Sequence, residues 1–553
     1  MRRRTNWPPS DRMVEAGLRK LTRREFLGAS LASAVATPWL IGCVRRPEVV
    51  RILWTNDTHG QLVPIYHREA YGPEFLQENG ISRGSVEAYL TSYEAYPSLA
   101  RQYGKVGGYA PLAALVRRER AAYPGRTLLL DAGDAWYGSA IALLTQGRAV
   151  VEVMNAMGYD AMTLHWEFNL GKEVLLARVR EARFAVLAQN LVDTEFEDRP
   201  LRASVVKDLE GIRVAVVGQA YPFSLLTTER RDITPGWRMG YREEDLQEEI
   251  WRVREEEGAQ VVILLSHMGY AQDRVFAERL VGVDVIVGGH THDILWHPVQ
   301  VGRTLIVQAG SHGKFLGRLD LQVRGGKVVG YRHALLPVLP RRVEPDPAID
   351  RLIAELYTPY RERLGKVVGE ARSLLYRRHL FGGPTDAFLA EAYREIMGTD
   401  LGCVPGWRFG TTLLPGAITV EDVYNAMKPT PSPLYRVRLS GRRVRQAIED
   451  NLDNVFNPDP LQRLGGDVLR CAGMRAWFRR EGPRGGRVLR MEANGRPLEE
   501  DRAYTVATSG GRTQYLDPQA QATGRPAVEE LVRYVEERGV IQAERPQTFV
   551  EVS

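Results

Sequence analysis

Cysteine is scarce in this chain, with Cys43, Cys403 and Cys471 the only examples among 553 residues. Two or three cysteines do not build a disulfide framework, so the fold cannot depend on one. Cys403 and Cys471 could pair with each other in an oxidising compartment or remain two buried thiols, and the sequence leaves both outcomes open. Neither stands in a pattern with a histidine or another general base, which argues against a cysteine nucleophile.

Excess basic charge is missing outside the first 42 residues. The formal net charge is +6, but residues 1–42 hold eight Lys/Arg against three Asp/Glu, which leaves 66 basic and 65 acidic residues elsewhere. Such a balance lacks the basic footprint of a nucleic-acid-binding protein, so no nucleic-acid partner is expected. Repeats and low-complexity tracts are also absent. A length of 553 residues with 44% hydrophobic composition predicts a soluble globular protein of two large domains.

An N-terminal leader, residues 1–43, supplies most of the net positive charge. Residues 22–27 (TRREFL) match the twin-arginine export signal, and the run at 27–41 is too short and too rich in Ala and Ser for a membrane span. The LIGC sequence ending at Cys43 resembles a lipoprotein box, which would lipidate Cys43 and attach the chain peripherally to a membrane. AVA at 34–36 is a competing cleavage site. We therefore expect a periplasmic protein, either lipid-anchored or free.

Seven side chains suited to metal binding follow five apolar runs. Each run is typical of a β-strand, and in α/β sheets functional side chains collect at the carboxyl ends of strands. Imidazoles and carboxylates suit borderline divalent ions, and seven ligands fit two ions sharing a carboxylate better than one tetrahedral site. The seven residues are Asp57, His59, Asp134, His165, His267, His290 and His292.

The order of these clusters resembles the calcineurin-like metallophosphoesterases, and among them the two-domain 5'-nucleotidase family. The matching boxes are DTHG from 57, DAGD from 131, SHMG from 266 and GGHTH from 288. The resemblance implies two metal positions, with Asp134 bridging them. The first position would be held by Asp57, His59 and His292. The second would be held by His165, His267 and His290.

The same resemblance implies the fold and the domain boundaries. Residues 49–335 alternate short strands and helices and would form a four-layer α/β/β/α sandwich. Residues 346–364 have the pattern of an amphipathic linker helix, and residues 365–553 resemble the family's C-terminal α/β substrate domain. We expect the ligand pocket between the two domains. Within the first domain, the clearest helical patterns lie at 111–123, 172–182 and 242–257.

A long polar segment, residues 61–105, separates the first metal box from the next helix. It contains six tyrosines and His67, and disordered segments are poor in aromatic residues. A connection of this length in a compact domain is usually functional or disordered. The segment is therefore either a wall or lid over the metal site or a surface insertion.

The site departs from the family pattern in ways that bear on the chemistry. The family's Gly-Asn-His-Glu box reads Leu-His-Trp-Glu here, so His165 replaces the metal-binding Asn and Trp166 replaces the His that assists phosphoryl transfer. His292 stands where nucleotidases usually carry Gln. These changes resemble the thiosulfohydrolase branch of the bacterial Sox sulfur-oxidation system. Asp134, Trp166 and Glu167 are the candidate catalytic residues, with core packing as the alternative role for Trp166.

The C-terminal half offers candidate substrate-binding residues. The nucleotidase loop Asn-Gly-Gly-x-x-Arg reads VPGWR up to Arg408, and GGDVLR up to Arg470 resembles thiosulfohydrolase sequences. Guanidinium groups suit tetrahedral oxyanions, although structural ion pairs are the alternative for both arginines. The glycines would allow close approach of a peptide arm, and a tight turn would look the same. The candidates are Arg408, Gly466, Asp467 and Arg470.

The resemblance implies a metal-dependent hydrolase that removes the terminal sulfonate from a cysteine S-thiosulfonate on a carrier protein. Sulfate would be released in bacterial thiosulfate oxidation. The implied partner is a SoxYZ-like carrier with a cysteine-bearing arm. The implied cofactors are two divalent ions, manganese in the first place with zinc as the alternative.

Two rival functions remain. Within the same fold, the chain could be a periplasmic 5'-nucleotidase or a 2',3'-cyclic nucleotide phosphodiesterase. Expelling a ribose alkoxide benefits from a proton donor, commonly worth ~10²–10⁴ in rate, whereas a persulfide can leave unaided, so Trp166 favours the sulfur chemistry. A binding or docking lipoprotein with a structural metal fits poorly, because structural sites are normally closed sets of four ligands.

Overall fold

The computed structural model describes residues 19–20, 48–228, 233–427, 430–510, 516–517 and 519–552. The twin-arginine motif, both candidate cleavage sites and Cys43 lie outside these ranges. Within them, we find no helix with the length and apolar character needed to cross a bilayer.

The N-terminal half is built on two mixed β-sheets. The seven-stranded sheet has the order β1-β15-β14-β2-β3-β4-β5, and the six-stranded sheet has the order β12-β13-β11-β10-β8-β7. Strands β2, β3 and β4 are parallel to one another, as are β8, β10, β11 and β13. The strands are β1 (Arg19–Lys20), β2 (Glu48–Thr55), β3 (Thr127–Asp131), β4 (Ala161–Met162), β5 (Ala185–Val186), β6 (Leu191–Asp193), β7 (Ser204–Leu209), β8 (Ile212–Gln219), β9 (Trp237–Met239), β10 (Val261–Ser266), β11 (Val285–Val287), β12 (Val299–Val301), β13 (Thr304–Val307), β14 (Phe315–Arg324) and β15 (Lys327–Pro337).

The two sheets pack face to face because alternate side chains of each strand point to opposite sides. Ile52 and Trp54 of β2 share one buried cluster with Ile263 and Leu265 of β10. Leu53, between the first pair, points the other way and packs on helices. The first sheet is covered by the helices Tyr109–Ala122, Arg148–Met157 and Pro347–Tyr357, and the second by Glu243–Glu255 and Tyr270–Arg279. The four-layer α/β/β/α sandwich expected from the sequence is confirmed.

The three helices predicted for this half are present. Those predicted at 111–123, 172–182 and 242–257 occur at Tyr109–Ala122, Lys172–Glu181 and Glu243–Glu255. The others are Pro73–Glu78, Val86–Thr91, Tyr96–Tyr103, Ala140–Leu144 and Ser224–Thr227, with a 3₁₀ helix at Trp166–Leu170.

The segment between the two halves contains the helix Pro347–Tyr357. Asp346 caps it, since its carboxylate accepts hydrogen bonds from the amides of Ala348 and Ile349 at 2.9 and 3.2 Å. Its buried face, with Ile349 and Ile353, packs on the helical layer of the sandwich, and a 3₁₀ turn (Thr358–Tyr360) and the helix Arg361–Gly365 follow. The helix is therefore an outer-layer element of the first domain as well as a connection.

The C-terminal half has a central five-stranded sheet of order β20-β17-β24-β19-β25, with three- and four-stranded sheets beside it. Its helices are Pro384–Met397, Val420–Asp422, Gly441–Val455 and Ala527–Arg538. Cys403 of β17 faces Cys471 of β20 across the sheet and the two form a disulfide, which decides between the two states that the sequence left open. The strands are β16 (Val367–Ala371), β17 (Leu401–Gly406), β18 (Gly416–Thr419), β19 (Pro433–Ser440), β20 (Asp467–Ala472), β21 (Met474–Phe478), β22 (Val488–Ala493), β23 (Arg496–Pro497), β24 (Ala503–Thr508), β25 (Gln521–Pro526), β26 (Val540–Ile541) and β27 (Phe549–Glu551).

Candidate metal centre

Five loops at the carboxyl ends of β2, β3, β4, β10 and β11 meet where the two sheets of the sandwich come together. Five of their non-glycine residues have positive φ angles of 50 to 71°. L-residues rarely adopt such angles, and they persist only where the surrounding structure holds them. The loops are therefore fixed by specific contacts. The five residues are Asp57, His59, Asp134, His290 and His292.

The predicted ligands fall into compact groups whose donor atoms all lie within 4.8 Å of one another. One group is Asp57, His59 and His292. Another is His165, His267 and His290. A third joins Asp57, Asp134 and His267. Asp134 thus lies with one member of each predicted set, as a bridging carboxylate must.

Short contacts connect these groups. The Nε2 atoms of His59 and His292 are 3.1 Å apart, and His292 Nε2 lies 3.2 Å from Asp57 Oδ1. His267 Nε2 is 3.3 Å from Asp134 Oδ2 and 3.7 Å from Asp57 Oδ1. Nitrogen and carboxylate oxygen atoms therefore converge on shared points instead of being spread over the surface.

The electrostatics of the group favour a bound cation. Burial lowers the pKa of His59, His165, His290 and His292 well below the usual value, so that these imidazoles are neutral at pH 7. Burial raises the pKa of Asp134 to about 7. For His267, burial opposes the charge, but Asp134 and Asp57 outweigh it and raise the pKa to about 10. Two buried carboxylates beside four neutral imidazoles thus favour positive charge at this point, as the raised pKa of His267 shows.

The donor set fits divalent metal ions. Metals bind the deprotonated forms of these groups, and most of the imidazoles are held neutral. Nε2 of His290 is buried and has no hydrogen-bond partner among the described residues. Buried polar atoms normally have a partner, and a metal ion would supply one for this nitrogen. The combination of imidazole and carboxylate donors suits manganese or zinc and does not choose between them.

Polar neighbours orient the ligands. Asn56 donates to Asp57 Oδ2 at 2.7 Å, and Ser224 Oγ lies 3.0 Å from Nδ1 of His165. The fully buried carboxylate of Glu167 accepts hydrogen bonds from the backbone amides of Ala135 and His165, at 2.7 and 2.8 Å. Glu167, predicted to be catalytic, is thus a positioning residue, because its oxygens tie two metal loops together.

A cavity of about 570 Å³ lies between the metal loops and the C-terminal domain, as expected. Asp57 and His267 are fully buried and do not line it. Trp166 does line it and is only half-buried, which places its indole at the cavity and not within the core. The metal-loop residues that reach the cavity are His59, Asp134, His165, His290 and His292.

An aromatic wall closes one side of this cavity and consists of Trp166, Trp407 and Phe409. Trp166 meets Trp407 and Phe409 edge to face, with ring centroids 5.2 and 5.0 Å apart, and Trp407 stacks on Phe409 at 5.6 Å. Phe409 also stacks on His59, at 4.8 Å. The wall therefore joins the C-terminal domain to a predicted metal ligand.

The predicted substrate-binding residues separate into two kinds. Arg408, Gly466 and Asp467 line the cavity, and Arg408 donates to Asp467 Oδ1 at 3.3 Å and to the carbonyl oxygen of His290 at 2.9 Å. Arg470 does not line it. Its side chain is fully buried and donates to the carbonyl oxygen of His379 and to Asp467, which makes it a structural support.

The glycines of the same loop approach the centre closely. A Cβ atom on Gly465 would lie 2.8 Å from Nε2 of His290 and 2.7 Å from the hydroxyl of Tyr221, and its φ is +69°. Only glycine fits such a position without movement of its neighbours. The loop is therefore in direct contact with the predicted metal site.

Residues 61–105 play neither of the two predicted roles. None of them lines the cavity, so they are not a lid. The second and third of their three short helices pack on the core of the sandwich, and residues 66 and 67 contact the C-terminal domain: His67 Nδ1 lies 3.2 Å from the carbonyl oxygen of Gly410, and the amide of Thr412 donates to the carbonyl oxygen of Tyr66 at 2.7 Å. The segment therefore contributes to the contact between the two domains.

His312 lies outside the matched sequence boxes, and none of the groups of described residues that could bind metal contains it. Its ring is fully buried, 5.2 Å from His59 and 4.0 Å from His67 between centroids, and its amide donates to the carbonyl oxygen of Asp57. His312 follows β13, which is parallel to β11 in the same sheet. A strand end therefore also brings His312 close to the site, as a neighbour of the predicted ligands and not as one of them.

Comparisons with known proteins extend over both halves. Residues 368–517 match the 5'-nucleotidase C-terminal domain. The sulfate thiohydrolase SoxB of Thermus thermophilus, solved in complex with glycerol, is 34% identical and has a TM-score of 0.87 over 91% of this chain and 97% of that one. The 5'-nucleotidase of Vibrio vulnificus is 24% identical over 96% of this chain and 97% of its own length. The trifunctional nucleotide phosphoesterase YfkN of Bacillus subtilis is 29% identical over 69% of this chain, which spans only 29% of that protein.

Proposed function

The chain belongs to the 5'-nucleotidase family of metal-dependent phosphoesterases, and on that basis we propose that it is a thiosulfohydrolase. The proposed reaction removes the terminal sulfonate from a cysteine S-thiosulfonate on a carrier protein, leaving a persulfide and releasing sulfate. The observation that carries the proposal concerns the histidines of the cavity. All four that line it, His59, His165, His290 and His292, belong to groups that could bind metal.

No imidazole among the described residues is therefore left over in the cavity as a proton donor to a leaving group. Trp166 stands at the cavity where the family pattern has such a histidine, and an indole carries no exchangeable proton of suitable acidity. A ribose alkoxide is a strong base and leaves ~10²–10⁴ times more slowly without general-acid assistance. A persulfide is a much weaker base and needs no donor. The site is therefore better suited to a sulfur leaving group.

The aromatic wall supports the same choice. A nucleobase held between two rings needs them about 7 Å apart, which is two van der Waals contacts of about 3.5 Å each. The rings of Trp166, Trp407 and Phe409 lie 5.0 to 5.6 Å apart between centroids and contact one another. The three rings of this wall therefore leave no gap in which a nucleobase could stack. A small sulfonate next to the wall does not need such a gap.

In the proposed reaction, the bound metal ions and the side chains of the cavity would have separate roles. Metal ions held by the two sets of ligands would supply Lewis acidity and lower the pKa of water. Arg408, fixed by Asp467 and by the carbonyl oxygen of His290, would bind the sulfonate oxygens at the cavity wall. Trp166 and its neighbours would exclude water from the departing sulfur. Asp134, which lies with one member of each ligand set, would keep the two sets close to each other.

We extend the proposal to partner, metal and location. The carrier would present the cysteine on a flexible arm that enters the cavity between the domains, manganese would be the resident metal, and the twin-arginine leader would export the protein to the periplasm, with Cys43 as a lipid anchor. Arg23→Lys/Arg24→Lys should then block export. Cys43→Ser should release the protein from the membrane, and unchanged membrane attachment of that variant would contradict the anchor.

A second candidate is a 5'-nucleotidase or a 2',3'-cyclic nucleotide phosphodiesterase. It is favoured by the full-length similarity to the Vibrio vulnificus 5'-nucleotidase. The deciding experiment measures sulfate release from a protein carrying a cysteine S-thiosulfonate beside phosphate release from AMP, with the same manganese-loaded enzyme. We expect sulfate release to dominate. Efficient AMP hydrolysis without sulfate release would contradict the proposal.

A further inference from the structure

The metal loop, defined here as residues 288–292, carries two predicted ligands in an unfavourable backbone conformation. His290 has a φ of +71° and His292 a φ of +58°. Non-glycine residues are uncommon in the left-handed region, and they persist there where neighbouring groups hold them. The question is therefore which groups hold the loop.

The carbonyl oxygens of this loop are bound by arginines of the other domain. Arg378 Nη2 donates to the carbonyl oxygens of Thr291 and His292 at 3.3 and 3.4 Å. Arg408 Nη1 donates to that of His290 at 2.9 Å. Every carbonyl from 290 to 292 thus accepts a charged donor from the C-terminal domain.

Arg378 is itself held by a buried ion cluster. Its Nε donates to Glu69 Oε2 at 3.3 Å, Lys314 forms a second ion pair with Glu69, and Lys314 also donates to the carbonyl oxygen of Leu90 at 3.0 Å. Glu69 and Lys314 are fully buried. Although burial opposes its charge, Lys314 and Arg378 keep the pKa of Glu69 well below its usual range. The N-terminal domain therefore fixes the guanidinium that binds its own metal loop.

We infer that Arg378 is a positioning residue that couples metal retention to the seating of the C-terminal domain on the sandwich. When the domains are seated, Arg378 bonds two loop carbonyls and keeps His292 in its strained ligand conformation. Coupling between two events is reciprocal, so a bound ion must in turn tighten the domain contact at Arg378. The inference concerns the metal centre and does not depend on which ester or sulfonate the enzyme hydrolyses.

The test compares two conservative substitutions at adjacent positions. Arg378→Lys keeps a positive charge opposite Glu69, but an ammonium lacks the fork needed to reach two carbonyls and a carboxylate together. Arg377→Lys is the matched control: Arg377 is also buried, pairs with Asp386 at 2.8 Å and donates to the carbonyl oxygen of Met427, with no bond to the metal loop. Manganese content and chelator competition are measured on both full-length proteins, and thermal melting reports their folding.

We expect Arg378→Lys to bind manganese about 10- to 100-fold more weakly, the usual effect of losing a group that orients a ligand, and Arg377→Lys to bind it as the wild type does. Wild-type affinity in Arg378→Lys would overturn the inference. Equal losses in both variants would also overturn it, since they would indicate general destabilisation.

A measurement on the unmodified protein keeps the inference testable if Arg378→Lys folds poorly. Hydrogen exchange is followed with and without manganese in peptides that cover the metal loop and residues 375–380. Binding to the loop alone would protect only the first peptide. The coupling predicts that manganese also slows exchange around Arg378, and an unchanged rate there would contradict it.

Discussion

Replacing Trp166 by histidine tests the argument about the leaving group most directly. Trp166 lines the cavity beside His165, at the position where the family pattern has a histidine. Trp166→His returns an imidazole to that position without touching a predicted ligand. If the indole explains the preference for a sulfur leaving group, the variant should gain activity on esters whose leaving group needs a proton.

The substitution should leave the protein folded. The indole contacts the rings of Tyr137, Trp407 and Phe409 at centroid distances of 5.8, 5.2 and 5.0 Å. Truncating a buried Trp to Ala commonly costs about 3–5 kcal/mol, and the three ring contacts, at about 0.5–1.5 kcal/mol each beyond area burial, are part of that loss. The actual loss is smaller because an imidazole keeps part of the contact. A protein of this size has a free energy of unfolding of about 5–15 kcal/mol or more, which exceeds that loss.

The assay compares two phosphate esters that differ in the basicity of the leaving group. AMP must expel an alkoxide, whereas p-nitrophenyl phosphate expels a weakly basic phenolate. General-acid catalysis gives ~10²–10⁴ where the leaving group needs it, so kcat for AMP should rise at least about tenfold while kcat for p-nitrophenyl phosphate changes little. Trp166→Phe is the matched control, since it removes the indole without adding a proton donor.

Three results would refute the reasoning. An equal rise for both esters would indicate a wider cavity and not a proton donor. The same rise in Trp166→Phe would indicate loss of bulk. A well-folded Trp166→His without any gain on AMP would show that the indole does not decide between the two chemistries. We also expect sulfate release to fall in both variants, because the aromatic wall is broken.

Three further predictions follow from the geometry. His165→Ala should lose one of two bound ions in elemental analysis, whereas the exposed His297 should be replaceable by Ala at full metal content, and two ions in the first variant would remove it from the ligand set. Gly465→Ala should weaken metal binding about tenfold or more, since its Cβ would lie 2.8 Å from a predicted ligand nitrogen, while Gly485→Ala, with the same positive φ and open space around it, should not. Burial and the charge of Lys314 lower the pKa of His67 to about 3. Between this value and pH 6.5, His67 takes up a proton in the unfolded chain and not in the folded one. The free energy of unfolding should therefore fall by about 1.4 kcal/mol for each pH unit below 6.5. Urea unfolding of His67→Gln should show a shallower slope, and an equal slope would assign the effect to other groups.

The sandwich and the ligand set could be predicted from the sequence because each signal is local. An apolar strand and the ligand that follows it are adjacent in the chain, so His267 after β10 could be placed before any three-dimensional information. His312 also follows a strand, β13, and lies beside His59, but it belongs to none of the metal-binding groups of the described residues. Local patterns thus predict a site well when its residues are positioned by strand ends.

Other features could not be predicted because they depend on contacts between distant positions. Glu69 and Arg378 are 309 residues apart, and each looks like an ordinary solvated charge until the domains meet. Arg470 and Glu167 stand in motifs that indicate chemistry, yet both are fully buried and bond to backbone atoms. A motif identifies the residue types that a site uses. Only the packing shows which of them reach the cavity.

The two domains contribute different parts of the chemistry, and this division explains how one family could serve two kinds of substrate. The predicted ligands all belong to the sandwich, whereas Arg408 and two of the three rings of the aromatic wall come from the C-terminal domain. Under the proposed function, the change of leaving group involves more than the two predicted ligands, His165 and His292, that differ from the nucleotidase pattern. It needs a new side chain at position 166, at the point where the two domains meet, and a wall that closes against it. Because that wall also stacks on His59, and because Arg378 bonds the metal loop, the specificity of the cavity and the integrity of the centre depend on the same domain contact.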